Sequence, residues 1–323
     1  MHISKTVTRR HRKTLVNAGT TNIALAQVAG ACCQHAKIAR DIQTTTAGQQ
    51  KEQACMARLC KVGGIAWLLA VGISPICHAQ TAWRTLDPEN TLVIDTTKGR
   101  LIVELRPEMA PKAVERVKML AREKTYNGLQ FHRVIENFVA QTGNPNNKDN
   151  GTSGYPNLPP EMKFKHHRNA SEAWASNASD AASGFFGSVP FQSIPISADQ
   201  QSLLAWGAHC AGVMGMGRDK PLDSANSEFY FMLAASRDMD HDYTVVGRVV
   251  VGMNVLLALK QGEPPANPDL MHTVRLLADL PAAERPRVSL MTGTALSAFI
   301  DKVRQQKTAD FSVCDVMVPA KIE

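Results

Sequence analysis

Apolar and polar positions follow a regular period in only part of the chain. Thr91–Thr96 (Thr-Leu-Val-Ile-Asp-Thr) and Arg100–Leu105 (Arg-Leu-Ile-Val-Glu-Leu) are short runs rich in branched residues, with Thr97-Lys98-Gly99 between them. This pattern predicts a β-hairpin. After Pro111 the spacing becomes helical. Val114, Val117, Leu120 and Ala121 share one face of a run from Lys112 to Lys124, and Pro111 takes the tolerated first-turn position. Asn127-Gly128 marks a turn, and Leu129–Ile135 reads as a strand. More strands are predicted at Ala211–Met216, Glu228–Leu233, Thr244–Val251 and Val274–Leu280, with a short helix over Met253–Lys260.

Two regions lack this clarity. Residues 142–160 are rich in Gly, Asn and Pro and read as loop. Residues 165–205 are polar, rich in Ala and Ser and aperiodic around Gly184-Phe185-Phe186-Gly187. They read as a long loop insertion, either a disordered surface segment or one that contacts other proteins or covers a groove. Beyond the linker Pro281–Pro286, Leu296–Gln306 has helical spacing and Phe311–Val318 reads as a last strand. The extension 281–323 is thus expected to pack on the main fold as a strand–helix–strand piece. Many short strands with two or three helices indicate a mainly β protein, a closed antiparallel barrel.

Composition fits a globular chain. Of 323 residues, 44% are hydrophobic and 20% charged, which excludes collagen-like and wholly disordered classes. The net charge of +7 suggests an anionic partner until its distribution is seen. Residues 1–79 carry +8 and residues 80–323 carry −1. Five of the seven cysteines also lie before residue 80. The remaining chain is nearly neutral, and nothing in its charge calls for nucleic acid.

Residues 56–79 run from Met-Ala-Arg-Leu-Cys-Lys through an apolar stretch to Cys77-His78-Ala79. A basic start, an apolar run and a small-x-Ala ending form the pattern of a signal peptide cleaved after Ala79. The run of about 15 residues falls short of the roughly 20 that span a bilayer. The expectation is an exported, periplasmic protein with no stable membrane anchor after cleavage. Residues 1–55 are either upstream sequence ahead of an initiator Met56, or a disordered basic extension whose Arg9-Arg10-His11-Arg12-Lys13 binds nucleic acid or lipid. Cys210 and Cys314 would enter an oxidising compartment as one disulfide or as two free thiols.

The segment Phe131-His132-Arg133-Val134-Ile135-Glu136-Asn137-Phe138-Val139-Ala140-Gln141-Thr142-Gly143 carries the chemistry. Strand alternation puts Phe131, Arg133 and Ile135 on one face. A turn at Glu136-Asn137 lets Arg133, Phe138 and Gln141 converge. A cationic fork, an aromatic floor and an amide suit one task, holding a proline ring and its peptide bond. The segment resembles the cyclophilin signature Phe-His-Arg-x-Ile-x-x-Phe-x-x-Gln-x-Gly. Gly212-Val213-Met214-Gly215-Met216 and Asp223-Ser224-Ala225-Asn226-Ser227-Glu228-Phe229-Tyr230-Phe231 are similar to the family's next two segments, and Val246-Gly247-Arg248-Val249-Val250 to the following strand.

The resemblance covers residues 90–280. It implies an eight-stranded barrel closed by two helices, and peptidyl-prolyl cis–trans isomerisation during the folding of exported proteins. By resemblance, Arg133, Phe138 and Gln141 are catalytic. Arg133 would donate towards the prolyl nitrogen, and Gln141 would orient Arg133 and bind substrate backbone. Phe138, Met216 and Tyr230 would form the proline pocket, with Phe131, Val139, Gly217, Glu228, Phe229, Met239 and Tyr243 completing the substrate-binding set. No metal or cofactor is implied. The partners would be proline-containing unfolded or extended segments, met by a monomer.

Several positions depart from the family pattern. Glu228 stands where Gln is usual, Tyr230 replaces the second Phe, and Gly217-Arg218 replaces Ala-Asn. Asp238 occupies the place of the Trp that contacts cyclosporin, and Tyr243 that of a His. Weak cyclosporin binding and an altered peptide preference are expected. Glu228 either orients Arg133 or draws it away from the prolyl nitrogen. The second reading is therefore a cyclophilin-like peptide-binding or chaperone module with weak or no catalysis. His166-His167 lacks further ligands at metal spacing and reads as a solvated pair.

Overall fold

The computed structural model describes residues 82–145, 152–168, 172–177 and 181–323, all within the unit Cys77–Glu323. The predicted signal peptide 56–79 and residues 1–55 lie outside the described residues. In chain order the first strands are β1 (Trp83–Thr85), β2 (Thr91–Thr96), β3 (Gly99–Leu105), β4 (Arg133–Val134) and β5 (Val139–Thr142). Helix α1 (Pro111–Arg122) lies between β3 and β4. Then come β6 (Phe164–His167), β7 (Ala173–Asn177), β8 (Ala182–Phe186), β9 (Val189–Pro195) and β10 (Ser202–Gly207). The chain continues through β11 (Val213–Met216), β12 (Phe229–Met232), β13 (Val245–Val251), α2 (Met253–Leu257) and β14 (Met271–Leu276). It ends with β15 (Val288–Met291), α3 (Gly293–Lys307) and β16 (Ala320–Ile322).

Eight strands form one antiparallel sheet in the order β14-β2-β3-β13-β11-β12-β5-β4. Its inner face is packed by Leu101, Val103, Phe229, Phe231 and Val246, and the apolar stripe of α1 lies against it through Val114, Val117 and Leu120. The N-terminus of α1 has no cap from Ala110. Glu161 reaches over instead, and its carboxylate accepts from the Lys112 and Ala113 N–H groups, satisfying donors that a helix start leaves open.

The sheet curls but is not a continuous closed barrel. Its edges β4 and β14 share no ladder. They are linked through isolated bridges, Gln130↔Leu270 and Val134↔Gly262. The reason is local. Gly128 turns the chain with φ of 77°, and Pro264, Pro265 and Pro268 deny donors on the facing segment. The predicted strand Leu129–Ile135 accordingly shrinks to two residues.

The expected loop at 165–205 is instead a five-stranded antiparallel sheet, β6-β10-β9-β8-β7. Phe185, Phe186 and Phe191 on one side of it share a buried apolar cluster with Ile102, Val213 and Tyr230 of the large sheet. In the extension, Phe311–Val318 is not a strand but contains the tight 3-10 turn Val313–Asp315. The last strand is β16, and it forms a three-stranded sheet, β1-β15-β16. Leu296 and Ile300 of α3 join the same outer cluster.

Buried polar contacts fasten these pieces together. Arg248 on β13 is almost fully buried. Its guanidinium donates to the carbonyls of Ala211, Ser188 and Val316 at 3.0, 3.1 and 3.2 Å. Those carbonyls belong to the large sheet's approach, the inserted sheet and the extension. Burial pushes the Arg248 pKa down to about 10, so the group remains a cation at neutral pH. A disulfide joins Cys210 to Cys314 across a separation of 104 residues. Glu104 on β3 accepts from Arg84 and Arg106 and from the backbone and hydroxyl of Ser188. Gly187 beside it has φ of 59°, a left-handed conformation that favours glycine.

Arg248→Met keeps similar bulk but strips three buried carbonyls of their donor. At about 1 kcal/mol for each net hydrogen bond, a loss of about 3 kcal/mol is expected. Urea denaturation of both proteins measures it, and an unchanged midpoint would show that water or neighbours replace the guanidinium.

Candidate active site

Sheet register brings distant residues into one row. Arg133 of β4 pairs with Gln141 of β5, Gln141 with Tyr230 of β12, and Tyr230 with Gly215 of β11. Paired cross-strand residues share a face, so one row crosses four strands. Asn137, with φ of 56°, turns the chain between β4 and β5 and carries Phe138 beside Arg133. The Phe138 ring centroid lies 5.7 Å from the guanidinium carbon of Arg133, a cation–π distance.

Two adjoining cavities open on this row. The less polar one, about 290 Å³, is lined by Arg133, Phe138, Val139, Gln141, Gly217, Arg218, Tyr230, Met239 and Tyr243. The other, about 340 Å³, shares Arg133, Gln141, Gly217 and Arg218 and adds the carboxylates of Asp219, Glu228 and Glu263. Among the described residues, no group of three His, Cys, Asp or Glu is placed to hold a metal ion.

Three residues expected to bind substrate sit elsewhere. Phe131, Met216 and Phe229 are fully buried in the inner core. Alternation explains this on β12, where Phe229 and Phe231 face inwards and Tyr230 and Met232 face outwards. Phe229 packs edge-on against Tyr126 and Phe231. These residues support the groove from beneath.

The polar pairing also differs from the expected one. Gln141 lies beside Arg133 in the row, but among the described residues no side-chain hydrogen bond joins them. The Gln141 Nε2 donates to the Glu228 carboxylate at 2.7 Å. Arg133 donates through Nε to Glu263 at 2.8 Å. Arg218 folds back on the rim, donating to the Asp242 and Asp219 carbonyls, with its guanidinium carbon 4.5 Å from the Tyr243 ring centroid. Asp238, at the expected Trp position, lies in a tight turn and accepts from Ser236.

A buried pedestal stands behind the less polar cavity. His209 is fully buried. Its Nδ1 lies 2.9 Å from the Asp240 carboxylate and its Nε2 2.8 Å from the Tyr230 hydroxyl. Because a carboxylate only accepts, Nδ1 carries the proton, and in the neutral ring Nε2 accepts from the tyrosine. Burial holds the Tyr230 proton well beyond the usual tyrosine range. Gly215 makes the hydroxyl's position possible, since a Cβ there would lie 2.4 Å from it. Arg237 pairs with the second Asp240 oxygen at 2.6 Å. His209, Asp240 and Glu263 escape a reading of motifs. His209 and Asp240 are 31 residues apart, and Arg133 and Glu263 are 130 apart.

Residues 91–278 match the sequence pattern of the family described as cyclophilin type peptidyl-prolyl cis-trans isomerase/CLD. The chain belongs to the cyclophilin family. A "probable peptidyl-prolyl cis-trans isomerase" of Brucella suis is 33% identical over 202 residues, covering 62% of this chain and 85% of that protein. A peptidyl-prolyl cis-trans isomerase of Helicobacter pylori is 28% identical over 187 residues, covering 57% and 84%. A solved cyclophilin from Hirschia baltica superposes with a TM-score of 0.68 at 29% identity, covering 74% of this chain and 93% of that one. The chain is thus a cyclophilin-type peptidyl-prolyl isomerase, and the row Arg133–Gln141–Tyr230 is its candidate active site.

Asp240 gives this cyclophilin a testable acid dependence. Burial alone would raise its pKa, but hydrogen bonds from the His209 ring and backbone and the Arg237 charge outweigh it, and the net shift is downward. A depressed carboxylate stabilises the fold above its unfolded value of about 3.9 and loses that contribution as pH falls through the lower folded value. Asp240→Asn should therefore cost about 1–3 kcal/mol at pH 7. The gap between the proteins should narrow below about pH 4. Urea titrations at both pH values test this, and a gap of constant size would exclude the titration of Asp240 as its source.

Proposed function

We propose that this cyclophilin accelerates X–Pro isomerisation in exported polypeptides, with Arg133 stabilising the twisted amide. Resonance sets a barrier of about 18–20 kcal/mol to rotation of a peptide bond. X–Pro bonds populate both isomers, so their slow exchange limits folding. Twisting the bond breaks the resonance and leaves a lone pair on the prolyl nitrogen. A guanidinium held beside the less polar cavity, whose lining includes Phe138, Val139 and Met239, stabilises that lone pair more than the planar ground state. Such differential stabilisation lowers the barrier. The observation that carries this reading is the position of Arg133 on the wall shared with Phe138, Val139, Met239 and Tyr230.

The pedestal of His209 and Asp240 supports the role of Tyr230 as the fixed floor of that cavity. Nε of Arg133 is engaged by Glu263, which leaves its two Nη groups as donors. The binding-module reading draws on Glu228, which takes up the Gln141 amide expected to orient Arg133. Glu263 supplies an orienting partner in its place, and this favours the enzyme.

Removing one preorganised donor from a transition state typically costs 10²–10³ in rate. Arg133→Ala in the full chain should accordingly lower kcat about a hundredfold in a protease-coupled proline isomerisation assay. Equal rates for both proteins would end the Arg133 mechanism.

Export is part of the same proposal. The basic-apolar-small pattern of residues 56–79 supports it, and so does the Cys210–Cys314 disulfide, since disulfides persist in oxidising compartments. N-terminal sequencing of the protein from its natural source should begin at Gln80. An intact terminus at Met1 or Met56 would refute cleavage.

A further inference from the structure

We propose that Glu263 is a positioning residue for Arg133, holding its guanidinium so that the Nη edge serves the twisted amide. The inference rests on the isomerase mechanism proposed above. Its basis is a constructed contact between segments 130 residues apart. Val134 and Gly262 exchange reciprocal backbone hydrogen bonds, each 2.9 Å. This bridge places the residue after Gly262 against the residue before Val134. Gly262 adopts φ of 146°, and a Cβ there would lie 2.6 Å from Pro265 Cα. The turn therefore needs glycine.

The rest of the loop is held as firmly. Pro264 and Pro265 fix two φ angles directly after Glu263. At the loop's base the Lys260 N–H donates to the buried Asp269 carboxylate at 2.9 Å, and the other Asp269 oxygen accepts from Thr97. Glu263 is thus presented on a short, tethered loop. Its carboxylate takes Nε, while the Phe138 ring lies 5.7 Å from the guanidinium carbon. An edge contact at Nε and an aromatic neighbour together restrict rotation of the planar group. Gln141, committed to Glu228, does not share this work.

The test compares full-length wild type, Glu263→Gln, Arg133→Lys and the double variant. A half-exposed charge contact of this kind is worth about two- to fivefold in rate. Glu263→Gln should lower kcat by that factor with KM unchanged. The same change should cost nothing further beside Arg133→Lys, which has no Nε–H to hold. Glu263→Asp keeps the charge but shortens the reach, and should also lower kcat. It serves as the test if the Gln variant fails to fold. A rise in kcat, a loss confined to KM, or an equal loss in both backgrounds would overturn the proposal.

The Arg133 Nε–H resonance gives a readout independent of turnover. It should be protected from solvent exchange in the wild type and lose that protection in Glu263→Gln. Protection in the wild type combined with a fully active Arg133→Ala would refute the mechanism and not the contact. Absent protection combined with an inactive Arg133→Ala would refute the positioning role alone.

Discussion

A buried cation with no carboxylate partner among the described residues is a costly thing to build into a protein, and Arg248 is one. Desolvation opposes its charge. The cost is offset because the guanidinium, with five donors in a rigid planar fork, can serve several carbonyls in different directions at once. The carbonyls of Ala211, Ser188 and Val316 come from three separate stretches of chain. The outer face of a cyclophilin sheet, Ile102, Val213 and Met232, is apolar here and requires cover. The inserted sheet and the C-terminal extension supply that cover, and Arg248 fixes where both must sit.

The connector that leads from the inserted sheet into β11 shows how this reaches the active site. His209 supports Tyr230, Cys210 is bonded to the extension, and the Ala211 carbonyl accepts from Arg248. Three consecutive residues thus tie the less polar cavity, the tail and the buried cation together. The added pieces are part of the support of the site. Tyr230 and Gly215 make the same point at atomic scale. A phenol in place of a phenyl needs a partner for its hydroxyl and a missing Cβ across the strand, and both are present. The His209 pedestal and Gly215 therefore form one coupled adaptation around Tyr230.

Much of the inner architecture was legible in the sequence because its periods are clean. The hairpin β2-β3 and helix α1 carry branched or apolar residues at nearly every inward position. The residues gathered around the cavity were legible because Arg133, Phe138 and Gln141 are local to one another and Tyr230 follows in a recognisable order. The inserted sheet was hidden because Ser183, Ser188 and Ser193 occupy buried positions and Gly184 is packed under Phe191. Serine, glycine and alanine at both buried and exposed positions leave no binary pattern to read. The placement of Phe131, Met216 and Phe229 in the core turned on which face each strand presents, and a motif does not contain that.

The polar partners were invisible for a different reason. Carboxylates that could pair with Arg133 can be counted from sequence, but the assignment depends on which loop closes on which strand. Glu228 was the conspicuous departure, because it stands inside a matched segment. It takes up an amide, and the Arg133 guanidinium is engaged by Glu263, which stands in no matched motif. The Val134–Gly262 bridge decides between them, since it forms where the large sheet fails to close as a ladder. A continuous barrel would leave that segment extended and its side chains alternating across the sheet. The interruption made by Gly262 and the prolines turns the chain instead, and it brings a carboxylate to the edge of the arginine. The same irregularity that keeps the barrel from closing thus places Glu263 at the active site.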